Sequence, residues 1–313
     1  MRPKPLFRHL SATPDRCDSP HPINGLAQDY KINGAAGESG FDAAVLKIAA
    51  ATCRLHLPGR AGEGSVITGI STNLAMKFID ESLMDGLSAT AFQATKPYPW
   101  LNPKGFLQAD AYRRLVDTLP PPEAFDERFG EQRRHGQQSH DRLALEYAPE
   151  LPLAPTWHEF VAELKGERYL EFVRRMFGRR AIRLLFHWHY TPNGCSVSPH
   201  CDAKRKLGSH IFYMNTENEW QADWGGETLI LDDNGRFGAG LAPKFEDFDR
   251  AMSSTAVGNY SLLFQRKERS WHGMKEIHCP PDALRKVFIV VIEDWSLPAR
   301  LMRKLKSAKR DRY

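Results

Sequence analysis

The chain has 313 residues, 42% of them hydrophobic and 26% charged, which is the balance of a soluble globular protein rather than a disordered or fibrous one. No run of about 20 apolar residues is present to cross a bilayer, and no apolar stretch follows the basic Arg2, Lys4 and Arg8. A cytoplasmic protein without a membrane partner is therefore expected. The formal charge of +5 lies at one end: residues 300–313 carry seven basic side chains and Asp311, a sum of +6, which leaves −1 for all the rest. A body without basic excess argues against a nucleic-acid partner, and the tail reads as a solvated, frayed helix end. The five cysteines form no CxxC pair, and an odd number without an export signal reads as reduced thiols.

Residues 1–75 read as a poorly ordered or loosely attached extension. Pro, Gly, Ser and Asn recur there, and apolar periodicity is brief, around Phe41–Leu55. Met76, where the texture changes, is a candidate translation start. Residues 76–299 read as one domain, a helical preface over 76–180 and a strand-rich core over 181–299, before the tail of 300–313. Leu107–Leu119 has helical spacing and is closed by Pro120, Pro121 and Pro122. Thr156 and Glu159 have the spacing of a capping box, and Phe160, Leu164, Leu170, Val173 and Phe177 continue one helix to Gly178. From there the period shortens. Ile182–Tyr190, Ile211–Met214, Thr228–Leu231, Tyr260–Phe264 and Val287–Ile292 are β-branched or aromatic runs between Gly, Pro, Asn and Asp clusters. Helices followed by many short strands suggest a β-sandwich or jelly roll buttressed by helices.

The chemistry concentrates around Tyr190–Asp202, YTPNGCSVSPHCD. On a strand, His200 and Asp202 would share a face, with Cys201 opposite. An imidazole and a carboxylate together, completed by a distant histidine, make the facial triad of a non-haem iron site. Three positions of an octahedral metal then stay open, two for a chelating keto-acid and one for dioxygen. A structural zinc site closes its coordination, usually with thiolates. The third ligand is expected to be His272 in Trp271-His272-Gly273, with His278 as its competitor. Arg285, at the mouth of the last strand, would offer a permanently charged fork to a buried carboxylate, with Lys286 as understudy.

In this order the residues resemble those of the 2-oxoglutarate/Fe(II)-dependent dioxygenases, specifically their prolyl 4-hydroxylase-like branch. The resemblance covers about 186–295. It rests on Tyr190, His200-Cys201-Asp202, Tyr213-Met214-Asn215, Gly225-Gly226-Glu227-Thr228-Leu229, Phe264, His272 and Arg285. The gap of 13 residues from His272 to Arg285 is slightly long. The resemblance implies a double-stranded β-helix, the cupin-like jelly roll, with iron on His200, Asp202 and His272. It implies 2-oxoglutarate held by Arg285, Tyr190 and Tyr213, with O2 as oxidant and ascorbate as accessory reductant. The reaction implied is oxidative decarboxylation of 2-oxoglutarate to CO2 and succinate, coupled to hydroxylation of a prolyl residue, amino acid or small molecule. A carboxylate at Asp202 points away from halogenation, which needs a small residue there. The rivals are a non-catalytic jelly-roll module that binds a metal or ligand, and a metal-dependent hydrolase.

Several further residues are read beside these. If Tyr190 points into the barrel, Trp188 and Phe186 do too, and His187 and His189 point away. His210 reads as a half-buried structural histidine, with a place lining the cleft as the alternative. Lys204, Arg205 and Lys206 read as a solvated loop, with recognition of a substrate carboxylate as the alternative. Trp220, Asp223 and Trp224 lie in sequence where a cleft mouth is expected.

Overall fold

A computed structural model describes residues 77–131, 137–138 and 140–310, with side chains through Arg303. The expected extension of residues 1–75 lies outside the described residues. Two 11-residue strands form the centre of the fold. β-branched residues dominate β11 (Leu284–Asp294), and it pairs antiparallel along its whole length with β4 (Ile182–Pro192). Before them in the chain come α1 (Glu81–Gly86), α2 (Ala89–Ala94), β1 (Trp100–Leu101), α3 (Ala109–Asp117), β2 (Asp126–Arg128), β3 (Arg142–Glu146), α4 (Pro155–Lys165) and α5 (Glu167–Phe177). Between them come β5 (Val197–His200), β6 (Lys206–Tyr213), β7 (Leu229–Asp232), β8 (Arg250–Ser253), β9 (Ser261–Gln265) and β10 (His272–Met274), and α6 (Leu297–Arg310) follows.

The strands form a seven-stranded sheet of order β1-β9-β6-β11-β4-β3-β2 and a four-stranded sheet of order β5-β10-β7-β8. Every neighbouring pair is antiparallel. From β4 onward the chain passes repeatedly between the sheets: large, small, large, small twice, large, small, large. That alternation is the double-stranded β-helix expected from the sequence. All five expected strands are present, three of them longer than expected and two, at Leu229–Asp232 and Ser261–Gln265, shifted by one residue.

One expected helix is two. Gly166 has extended backbone (φ −68°, ψ 156°) and separates α4 from α5. The capping box does not form either. Ala154 occupies the N-cap without a side-chain hydrogen bond, and Pro155 opens the first turn, where its missing N–H costs nothing. Both helices cover the large sheet. Trp157 and Phe160 of α4, and Tyr169, Phe172 and Met176 of α5, are buried in one cluster with Phe186, Trp188, Phe212, Phe288 and Ile292 of the sheet. Trp157 stands edge-on to Trp188 at 5.0 Å between ring centroids. Burying each such ring contributes roughly 1.5–3 kcal/mol, so the helices fix which face of the large sheet is outward.

A bulge breaks the alternation of β6. Ile292 pairs with Gly208, but Glu293 pairs with Lys206 instead of Leu207. Leu207 accordingly packs toward the helix-side core, while Lys206 faces the space between the sheets. The basic tail begins inside α6, and Arg303 is tied down: its guanidinium donates to buried Glu293 at 2.6 Å and to the Asp294 carbonyl at 3.0 Å. That side chain is an anchor rather than a solvated end. Among the described residues no helix is long and apolar enough to cross a membrane.

Candidate metal centre

A cavity of about 720 Å³ lies between the sheets. At one end the strand pairing His272↔His200 brings the first residue of β10 beside the last residue of β5. Asp202 follows two residues later, beyond the strand end. One ligand atom from each of His200, Asp202 and His272 lies within 4.8 Å of the other two, and this is the metal-type cluster among the described residues. His278 is exposed and lies 3.9 Å from Glu276, away from the cluster. Cys201 turns to the other side, against Leu229, Leu231 and Trp271, so no thiolate joins the donors.

The local bonding prepares both imidazoles. His200 Nδ1 lies 2.9 Å from the Ser198 carbonyl and His272 Nδ1 2.9 Å from the Ser270 carbonyl. A carbonyl only accepts, so each Nδ1 carries the proton and each Nε2 keeps its lone pair for a metal. Burial, with His272 and His140 alongside, pushes the His200 pKa well below its ordinary value, and burial lowers that of His272. Burial alone would raise the pKa of Asp202. The Lys206 ammonium, 2.7 Å from its Oδ1, and the two imidazoles outweigh that effect and hold it far below the usual carboxylate range. Two neutral nitrogens and one carboxylate oxygen on one side of a cavity are the donor set of a non-haem iron centre.

Arg285 projects into the same cavity and is only 7% exposed. Its Nε donates to the Gly226 carbonyl and its Nη2 to Thr228 Oγ1 at 3.4 Å. No carboxylate lies within ion-pair distance of it among the described residues. Tyr213, beneath the guanidinium at 5.6 Å, binds Thr228 Oγ1 at 3.1 Å and Ser254 Oγ at 2.7 Å through its hydroxyl. Gly226 is required here. Its φ is +94°, and a Cβ would sit 3.1 Å from Arg285 Cδ and 3.3 Å from Trp220 Cζ2.

The structure does not bring Tyr190 to this site. Tyr190 is 1% exposed on the helix-covered face; its hydroxyl donates to the Pro120 carbonyl at 2.9 Å, and its ring lies 4.2 Å from that of Phe125. Trp188 and Phe186 lie on that face too, while His187, His189 and Thr191 line the cavity. The phase expected for β4 is thus reversed. The reason is physical: helices cover the outer face, so that face carries the aromatic side chains, and the polar ones line the cavity. The residue opposite Arg285 in the sheet is Thr191, 2% exposed. His210 also lies on the helix side, wholly buried, with Tyr169 Oη 2.9 Å from Nδ1 and Ser261 Oγ 3.0 Å from Nε2. Trp220 is buried and donates to the Gly225 carbonyl. Sequence reasoning missed Thr191, Thr228, Ser254 and His140, whose Nε2 lies 3.0 Å from Ser198 Oγ and whose ring centroid lies 4.6 Å from that of His200. One signal was available: His187, His189 and Thr191 alternate with apolar or aromatic residues along the strand.

No protein-family model matches the sequence, and no curated protein matches it. Solved structures do resemble the fold. A prolyl-4-hydroxylase of Pseudomonas putida matches 66% of this chain and 99% of its own at 16% identity and a TM-score of 0.48. A prolyl hydroxylase in complex with a hypoxia inducible factor oxygen degradation domain peptide fragment from Trichoplax adhaerens matches 68% and 90%, at 14% identity and 0.49. HygX from Streptomyces hygroscopicus, with nickel and 2-oxoglutarate bound, matches 62% and 82%, at 12% identity and 0.44. At these values the chemistry rests on the side chains of this chain.

Proposed function

We propose that the chain is a non-haem Fe(II) oxygenase that couples oxidative decarboxylation of 2-oxoglutarate to hydroxylation of a C–H bond in a small molecule or peptide. The observation that carries this reading is one cavity with two complementary groups. Two neutral imidazoles and an ionised carboxylate converge in it, and a buried guanidinium with no carboxylate partner among the described residues projects into the same space. A binding-only module needs no such cation, whereas a dicarboxylic keto-acid needs both.

His200, Asp202 and His272 would hold Fe(II), which supplies the redox chemistry with O2 when bound. Arg285 would take the distal carboxylate in its two-pronged fork, oriented by Gly226 and Thr228. Tyr213 supports that fork through its ring and through Thr228. The role first read for Tyr190 is not carried forward, and Thr191 is the β4 residue beside the arginine. Ascorbate would serve as the accessory reductant that keeps the iron ferrous. Residues 76–299 are the proposed catalytic domain, preceded by the 1–75 extension and followed by the basic 300–313 segment, with α6 crossing that last boundary.

The test is succinate formation from 2-oxoglutarate by the Fe(II)-loaded protein in air. Asp202→Ala should abolish it while leaving circular dichroism and thermal midpoint close to those of the parent. Unchanged succinate production in Asp202→Ala overturns the assignment.

A further inference from the structure

The cavity wall holds side chains with no part in the reading above, and the most telling is Lys206. The bulge in β6 turns it inward, its side chain is 23% exposed, and its ammonium donates to Asp202 Oδ1 at 2.7 Å. Arg285 apart, the other cations facing this cavity have partners of their own. Arg205 and Arg303 share Glu293 at 2.9 and 2.6 Å. Arg128 has Asp126 at 3.0 Å and Glu131 at 3.3 Å. Arg183 stacks on Trp295 at 4.8 Å, and Arg142 donates to the His140 carbonyl at 2.6 Å. Lys206 has Asp202 alone among the described carboxylates, and Asp202 is also the metal-binding one.

One carboxylate does not neutralise both a divalent ion and an ammonium. With iron and keto-acid in place, Asp202 and the near carboxylate of the keto-acid offset the metal, and Arg285 offsets the far carboxylate. Lys206 is then a largely buried cation in surplus, and an uncompensated buried charge is costly. Beside it stand His187 and His189, on adjacent inward positions of β4, their ring centroids 6.2 Å apart. Neither makes a hydrogen bond within the described residues, so each has a ring N–H and a lone pair directed at the cavity. Glu146, opposite His187 on β3, is the remaining acid of this wall, and it is exposed, where its field is screened.

We propose that the prime substrate is a small organic acid: Lys206 receives its carboxylate beside the metal, and His187 and His189 hydrogen-bond the same molecule. The proposal rests on the iron and 2-oxoglutarate reading, and it gives the partner that Lys206 lacks once the metal claims Asp202. A cavity of about 720 Å³ has room for both the keto-acid and a second small molecule.

The test uses the full chain loaded with Mn(II) and saturating 2-oxoglutarate without O2, so that binding is read without turnover. Free amino acids and aliphatic and aromatic monocarboxylic acids are titrated calorimetrically, each beside its primary amide. At least one acid should bind, with its amide about tenfold weaker or more. Lys206→Met should lose that preference and Lys206→Arg should recover most of it. Mn(II) and 2-oxoglutarate affinities measured on the same variants show whether the centre is assembled. The acid-to-amide contrast in the parent stands even if Lys206→Met fails to fold. Equal binding of acid and amide, binding by no acid, or an unchanged preference in an assembled Lys206→Met protein overturns the proposal. If 2-oxoglutarate itself does not bind the parent, the underlying reading fails instead.

Discussion

Replacing Arg285 by alanine tests the co-substrate assignment and the strand phase together. The guanidinium is nearly enclosed, bonded to a carbonyl and a hydroxyl, and has no described carboxylate within ion-pair reach. A dicarboxylate seated there forms a buried ion pair, and removing one member of such a pair costs roughly 3–5 kcal/mol. At about 1.4 kcal/mol per factor of ten, the expected weakening of 2-oxoglutarate is about a hundredfold or more. Metal affinity should change far less, since Arg285 is not one of the clustered ligand residues. Arg285→Lys should fall between, keeping the charge and losing the fork. Lys286 is the internal control. It pairs with Tyr190 on the helix side, its ammonium 3.9 Å from Glu219, so Lys286→Ala should leave the affinity nearly unchanged. Calorimetric titration of 2-oxoglutarate into the Mn(II)-loaded variants reads all three. An Arg285→Ala protein within threefold of the parent, or a loss in Lys286→Ala instead, refutes the reasoning.

Three other outcomes are expected. Tyr190→Phe removes the hydrogen bond to the Pro120 carbonyl and should cost about 1 kcal/mol of stability in urea. It should leave 2-oxoglutarate affinity within twofold, and a larger loss would return Tyr190 to the site. Gly226→Ala forces a Cβ against Arg285 at a left-handed φ, so 2-oxoglutarate should bind about tenfold more weakly and stability should fall by about 1–3 kcal/mol. Burial holds the pKa of His210 at about 3, below its unfolded value near 6.5. Between these limits the unfolded chain binds the extra proton, so stability decreases as pH is lowered, by up to about 1.4 kcal/mol per unit below 6.5. In His210→Gln that share of the pH dependence should be missing from denaturation curves compared at pH 7 and pH 5.

What was legible in the sequence is what one strand, read by itself, can specify. His200 and Asp202 stand two residues apart and His272 is flagged by its neighbours, so the cluster could be drawn before any fold was known. Alternation also separated Arg285 from Lys286. For β4 the same rule correctly grouped Tyr190 with Trp188 and Phe186 but assigned the group to the wrong side. Periodicity says which residues share a face, and only the packing of α4 and α5 says which face is covered. The break at Gly166 was hidden because the apolar spacing continues across it. Strand β10, three residues long, carries no period at all, yet its pairing is what sets His272 beside His200. Thr228 and Ser254 come from separate strand ends, and nothing local joins them to Arg285.

The bulge in β6 makes backbone register a determinant of cavity charge. Leu207 is the extra residue of that pairing. Were the strand regular with Leu207 retained, Leu207 would stand opposite Glu293 and face the cavity, and Lys206 would turn to the helix-covered side. An ammonium would then be driven into a layer built of Phe177 and its neighbours, and the cavity would lose its only contact to Asp202 from that strand. None of His200, Asp202 and His272 would have been replaced. In this region the register of the backbone, as much as the identity of any residue, sets which charges the cavity presents.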